Sequence, residues 1–345
     1  MTTRRTVITH SAAALGAAST GLLLPTLARA QSDKLTCLAL AACATMNTNT
    51  YGPFLLDYKG YKTPAEFGEG YYNFITPAVV EHWDSRFTKD GAKVLAELPV
   101  KRDLAYGPKS TNTMDFFSAL DHPETAPTLL YIHGGLWFLS DKKDTHCLAP
   151  GYVRHGVNFL TINYSLAPKV DLATIVKECQ TAVAWAYTHA GELGIDPHKF
   201  IVSGHSAGGQ LCTTMNSTDW PKFQAGLPSD LLKGCVGISG FYDIEPTPGT
   251  FVDEGAKFPH DQYRTYNSIR NIRPKLPPVL LIIGAKESSL LQQQTQGYAL
   301  KYREAGNEAE TKVVAGEDHF SVLYEMNRSA SSLHHDLIAW IKKHT

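Results

Sequence analysis

Neither sign of charge dominates this 345-residue sequence: 32 Lys and Arg stand against 33 Asp and Glu, a net of −1. Without a basic excess, nucleic acid is not an expected partner, and without an acidic run there is no solvating tail. Six cysteines, at 37, 43, 147, 179, 212 and 235, include no CxxC pair, which excludes a zinc ribbon. Cys179 and Cys212 fall on apolar helix faces and read as core; the spacing gives no disulfide pairing. After the first 30 residues there is no internal repeat, no low-complexity linker and no run of the ~20 apolar residues that span a bilayer. The remaining balance, 43% hydrophobic and 19% charged, is that of a globular chain and excludes a disordered one, a collagen or a small disulfide scaffold. The length suits one large domain or two small ones.

The first 30 residues differ from the rest. They hold Arg4, Arg5 and Arg29 and no acid, leaving 29 bases against 33 acids in the other 315 residues. Arg4-Arg5, an uncharged stretch from Ser11 to Leu27 and Ala28-Arg29-Ala30 read as a basic region, an apolar region and a small-x-small cleavage site. Thr3 to Ile8 resembles a twin-arginine export signal. The expectation is a signal peptide over 1–30, cleaved near Ala30, and a periplasmic or secreted protein without a stable membrane span. A lipoprotein box ending at Cys43 is the minor alternative.

Residues 31–100 read as an N-terminal segment of loop and helix, part of a cap. Ala78 to Leu98 has helical character, with Trp83, Phe87 and Val94 as its apolar positions. Residues 101–345 read as the main domain. Short β-rich runs occur at Thr113–Ala119, Thr128–Ile132, Val157–Tyr164, Phe200–Ser203, Gly234–Ser239, Val279–Ile283 and Thr311–Ala315. Asp171–Gly194, with Leu172, Ile175, Val176, Cys179, Ala182, Val183 and Ala186 on one stripe, predicts a long amphipathic helix. Leu290–Ala305 and Ser331–Lys343 predict two more. Strands separated by helices imply βαβ crossovers and a mostly parallel sheet, whose ligands bind beyond the carboxyl ends of the strands.

Three loops at such ends carry chemistry. Gly204-His205-Ser206-Ala207-Gly208 follows an apolar strand and opens a helix. Its Gly-x-Ser-x-Gly pattern allows the tight turn that holds a serine hydroxyl outward. His133-Gly134-Gly135-Leu136-Trp137 follows another strand. With the Ala207 N–H, donors from Gly134 and Gly135 would form an oxyanion hole; His133 and Trp137 read as braces for the loop. Gly316 to Phe320 places His319 after the last strand, downstream of the serine, as its general base. His205 is expected to pack, and His334-His335-Asp336 lacks zinc-ligand spacing. The carboxylate that orients the base is either Glu287 or Asp243, each after a strand between Ser206 and His319. Trp137, Phe138, Tyr242 and Phe320 are candidate walls of a substrate pocket. No metal or cofactor is required.

His-Gly-Gly-x-Trp at 133–137, Asn163 to Pro168 and Gly-His-Ser-Ala-Gly-Gly at 204–209 resemble the α/β-hydrolase serine esterases, and most of all the kynurenine formamidase (arylformamidase) branch. Ala184-Trp185, Asp196-Pro197, Gly240 to Pro246 and His319-Phe320 fit that branch as well. The resemblance covers roughly residues 70–345. It implies an eight-stranded, mostly parallel sheet with helices on both faces and a small cap. Its nucleophile corresponds to Ser206, its base to His319, its acid to Glu287 (Glu where Asp is usual) and its oxyanion donors to Gly134, Gly135 and Ala207. The expected activity is cleavage of a small carboxylic ester or aryl formamide through an acyl-enzyme. The alternatives are an inactive binding protein on the same fold, or a small-substrate amidase or peptidase; 31–100 is too short for the propeller that gates some peptidases.

Overall fold

The structure, a computed structural model, describes residues 54–72 and 76–345. The expected signal peptide, its cleavage near Ala30, and Cys37 and Cys43 lie outside the described residues. Among the described residues two helices come first, α1 (Pro64–Tyr72) and α2 (Pro77–Glu97); proline at the first position of each suits a site whose N–H has no helical acceptor. Strands β1 (Lys101–Ala105), β2 (Thr113–Phe117) and β3 (Thr128–Ile132) follow, then a 3₁₀ turn over Lys142–Leu148 that runs into α3 (Ala149–Val153). Next are β4 (Asn158–Ile162), α4 (Leu172–Thr188), α5 (Ala190–Leu193), β5 (Phe200–His205), α6 (Ala207–Asn216), α7 (Trp220–Phe223) and β6 (Leu232–Ile238). The chain ends with α8 (Phe251–Ala256), α9 (His260–Thr265), β7 (Val279–Gly284), α10 (Ser289–Glu304), β8 (Ala309–Val314), α11 (Ser321–Asn327) and α12 (Ser332–His344).

The eight strands form one sheet in the order β1-β2-β4-β3-β5-β6-β7-β8. The β1–β2 and β2–β4 pairs are antiparallel and the other five parallel. The chain steps from β3 outward to β4, then crosses back to lay β5 on the other side of β3. That reversal parts the loops after β3 and β5 and opens a crevice at their carboxyl ends.

The buried strands show no alternation in sequence, yet their side chains divide with period two between two cores. Leu130, Ile132, Phe200 and Val202 join α4, α6 and α10 on one face; Leu129, Tyr131, Phe159 and Ile201 join α2, α3, α11 and α12 on the other. The N-terminal segment serves both, with Tyr58, Phe67 and Tyr71 in the first and Trp83, Phe87, Val94 and Leu98 in the second. Side-chain caps start the helices as their sequences suggest: Asp171 accepts from the Thr174 N–H at 2.9 Å, and Ser331 from the Leu333 N–H at 3.1 Å. The long helix expected over Asp171–Gly194 breaks at His189, and Gly194 closes the second piece in the left-handed region at φ 76°.

Cys147, Cys179, Cys212 and Cys235 are buried free thiols. Among the described residues, no helix is long and apolar enough to cross a membrane, and no three His, Cys, Asp or Glu side chains are arranged to hold a metal ion.

Candidate active site

Ser206 sits between the last residue of β5 and the first of α6, with φ 58° and ψ −121°. Few non-glycine residues adopt this conformation, and the surroundings impose it. The Ser206 N–H donates to the Ile238 carbonyl at 2.9 Å, and the Ser206 carbonyl accepts from the Gly209 N–H at 2.9 Å. A Cβ on Gly204 would run into the Gly208 carbonyl, and one on Gly208 into the Ile132 carbonyl. Both glycines are thus required by close approach of backbone to backbone.

The loop after β3 lies against this turn: a Cβ on Gly134 would be 3.0 Å from the Ser206 Cβ. The carbonyls of its first three residues are occupied. The His133 carbonyl accepts from the Tyr164 hydroxyl at 3.1 Å, the Gly134 carbonyl from His133 Nδ1 at 2.8 Å, and the Gly135 carbonyl from the Phe138 and Leu139 N–H groups at 3.0 and 2.8 Å. In a trans peptide the C=O and the following N–H point opposite ways. The N–H groups of Gly134 and Gly135 are therefore turned away from those partners. Ala207 opens α6, where the first N–H groups have no acceptor within the helix. His133 stacks on Tyr164 with centroids 4.3 Å apart, which braces the loop as the sequence suggested. Burial lowers its affinity for a proton, against the Gly134 carbonyl and Asp141, which favour the charged form.

His319 follows β8 and is 1% exposed. Its Nδ1 donates to Glu287 Oε2 at 2.8 Å. The other oxygen of Glu287 accepts from the Ser239 hydroxyl at 2.6 Å and the Gly284 N–H at 2.7 Å. Of the two candidate acids, then, Glu287 meets the imidazole. Asp243 is held elsewhere: it accepts from Asn267 Nδ2 at 2.6 Å, the Tyr58 hydroxyl at 3.0 Å and the Glu245 N–H at 3.2 Å. Burial pushes its carboxyl up to about 6, against the hydrogen bonds of Asn267 and Tyr58. His205 Nε2 donates to the His319 carbonyl at 2.7 Å. Burial, with His319 beside it, holds His205 well below the ordinary imidazole range; a neutral ring pins the loop that carries the base.

Ser206, His319, Gly134 and Gly135 line a single cleft of about 770 Å³, measured to include its mouth. Val80, Phe87, Leu136, Leu139, Leu148 and Phe320 supply apolar wall. Of the four expected wall residues only Phe320 belongs to it. Trp137 and Phe138 instead turn into the core, because Leu136 and Trp137 take left-handed backbone at φ 53° and 65°. Trp137 Nε1 then donates to Gln210 Oε1 at 3.1 Å and its ring packs on Phe241. Tyr242 is fully buried beneath β6, stacked on Tyr298 at 4.9 Å.

Two acids reach the cleft without a motif to announce them. Asp84 comes from α2 and Asp144 from the 3₁₀ turn. Burial pushes the Asp144 carboxyl up to about 7, with the charge of Asp84 adding to it, and burial pushes Asp84 up to about 6. The turn is tied to β2 by Asp115, which accepts from Lys142 Nζ and His146 Nε2, each at 2.7 Å. The sequence carries one hint of the turn: Asp141 and Asp144 form a capping box.

A parallel sheet with a strained serine at the turn after its central strand, and an imidazole–carboxylate pair in the same cleft, defines an α/β hydrolase. The family model described as alpha/beta hydrolase fold matches residues 129–323, and the chain belongs to that family. It is similar to kynurenine formamidase of Danio rerio, 26% identical over 233 residues, which are 65% of this chain and 76% of that one. It is also similar to esterase LipC of Mycobacterium tuberculosis, 28% identical over 221 residues, 59% of this chain and 55% of that one. An esterase structure from Pyrobaculum calidifontis superposes with TM-score 0.60 at 21% identity, covering 76% of this chain and 93% of the other. A thermophilic esterase from Thermogutta terrifontis does so with TM-score 0.57 at 18% identity, covering 71% and 92%.

Proposed function

We propose that the protein is a serine hydrolase that cleaves small carboxylic esters or aryl formamides through an acyl-enzyme. The observation that carries this reading is the 2.8 Å bond from His319 Nδ1 to Glu287 within the cleft that holds Ser206. With Nδ1 protonated and engaged, Nε2 of the neutral ring keeps its lone pair for the serine proton. Ser206 Oγ attacks the acyl carbon as the imidazole takes its proton, and Glu287 stabilises the imidazolium that forms. The oxyanion is held by N–H groups of Gly134, Gly135 and Ala207. The tetrahedral adduct then expels the alcohol or arylamine, which takes the proton back from His319. Water, activated by the same imidazole, releases the acid and restores the serine.

The formamide arm rests on the likeness to the Danio rerio formamidase and the ester arm on the likeness to LipC. A fluorophosphonate probe followed by peptide mapping tests the nucleophile: label is expected on Ser206 and none on Ser206→Ala, and label that persists in the variant refutes the scheme. Acetyl, butyryl and octanoyl esters run beside N-formyl arylamines give the acyl preference. We also infer export, on the basis of the Arg4-Arg5 segment. The intact mass of material recovered from the periplasm or medium tests it, with a start just after Ala30 expected.

A further inference from the structure

Two carboxylates in a cleft with much apolar wall call for a partner. Asp84 makes no hydrogen bond or ion pair among the described residues, although it is largely buried. Asp144 uses Oδ2 to accept the Asp141 N–H at 2.9 Å, and its Oδ1 has no hydrogen bond among the described residues. Among the described residues, neither Lys nor Arg lines the cleft, which these acids share with Ser206 and His319. Each carboxylate is desolvated, and the charge of Asp84 acts on Asp144. That arrangement costs free energy in the empty protein and is relieved when a cation enters.

We propose that Asp84 and Asp144 form an acidic subsite of the catalytic cleft that receives a protonated amine of the substrate, so that the preferred substrates are esters or amides carrying an alkylammonium group. This rests on the serine-hydrolase reading of the same cleft. The apolar wall takes the hydrocarbon or aryl body, the carboxylates take the ammonium, and the scissile carbonyl lies at Ser206. A substrate with a carboxylate at the same position meets two negative charges and no compensating base. An incoming cation favours the ionised form of both acids, against the burial that raises them.

The test compares substrates of equal shape that differ by one charge. 4-(Aminomethyl)phenyl acetate is set against 4-ethylphenyl acetate, and phenyl 6-aminohexanoate against phenyl heptanoate, so that the ammonium lies on either side of the scissile bond. The ratio of kcat/KM, cationic to neutral, is measured in the wild type and in Asp84→Asn. Asp84 holds no other residue, so this variant keeps the fold; Asp144 also caps its turn, and Asp144→Asn serves as a second variant. In at least one pair the ratio of cationic to neutral is expected to fall about tenfold in Asp84→Asn. Benzylammonium is expected to slow fluorophosphonate labelling of Ser206 in the wild type and not in the variant. Ratios that match between wild type and both variants in both pairs, with active enzyme, overturn the subsite and leave the hydrolase reading standing. No turnover of any ester and no labelling of Ser206 overturns both.

Discussion

Glu287 and Asp243 look alike in the sequence, since each follows a strand and precedes His319. Their surroundings give them opposite work. Glu287 accepts from an imidazole, a hydroxyl and a backbone N–H; Asp243 accepts from an amide, a phenol and a backbone N–H. Glu287→Gln preserves shape but loses the charge opposite the imidazolium and the acceptor that sets its tautomer. We expect kcat to fall about 10³–10⁴-fold, far more than the stability lost where the amide N–H faces a donor would explain. Asp243→Asn is expected to do the reverse, keeping kcat within a few-fold while costing about 1–3 kcal/mol of stability by urea titration, because an amide N–H would face the donors of Asn267 and Tyr58. At this scale the sequence was legible for Ser206, Gly204 and Gly208, whose spacing reports a turn that few other residues could make. It was illegible for Trp137, Phe138 and Tyr242. Aromatic residues beside a site loop look like pocket wall, and only the backbone conformation at Leu136 and Trp137 shows that the chain turns them inward.

Among the elements, the 3₁₀ turn over Lys142–Leu148 brings Asp144 to the cleft, and Asp115 anchors it. Burial pushes the Asp115 carboxyl up, but hydrogen bonds from His146, Lys142 and the Asp103 N–H outweigh it and hold the group at about 2. Its folded affinity for protons is thus below the unfolded value of about 4. The resulting stabilisation is present above pH ~4 and is lost as pH falls toward 2. Asp115→Asn should leave Lys142 and His146 short of a buried counter-charge and cost about 3 kcal/mol at neutral pH. In urea titrations, the gap between wild type and variant is expected to narrow between pH 4 and pH 2. Elements with a strong apolar pattern, such as β3, α4 and β7, lie where their periodicity indicates. Strand β1, Lys-Arg-Asp-Leu-Ala, gave no such signal because it is an exposed edge, and edge strands carry charge that discourages further pairing.

On the scale of the whole molecule, α2 closes over the sheet face beside the cleft, with Trp83 stacked on Phe320 at 6.0 Å, and sets Asp84 near Asp144. Both carboxyls bind protons more tightly in the fold than in the unfolded chain, since burial raises them to about 6 and about 7. Their contribution favours the fold below pH ~4 and is lost as pH rises through 6 to 7. The melting temperature of the wild type should therefore fall relative to Asp84→Asn as pH rises from 5 to 8, a difference scanning calorimetry can read. A parallel response in the two proteins would mean that burial does not raise the Asp84 carboxyl.

The fold class, the serine turn and the loop histidine could be read from order and spacing along the chain, because a buried parallel sheet demands continuous apolar runs and a tight strand-to-helix turn demands glycine two residues either side of its centre. The choice of Glu287 over Asp243, the inward turn of Trp137 and the meeting of Asp84 with Asp144 depend on contacts between segments 30 to 185 residues apart. No local pattern encodes such contacts: they arise when the two cores pack, and desolvation then decides which charged groups keep a partner and which are left facing the cleft.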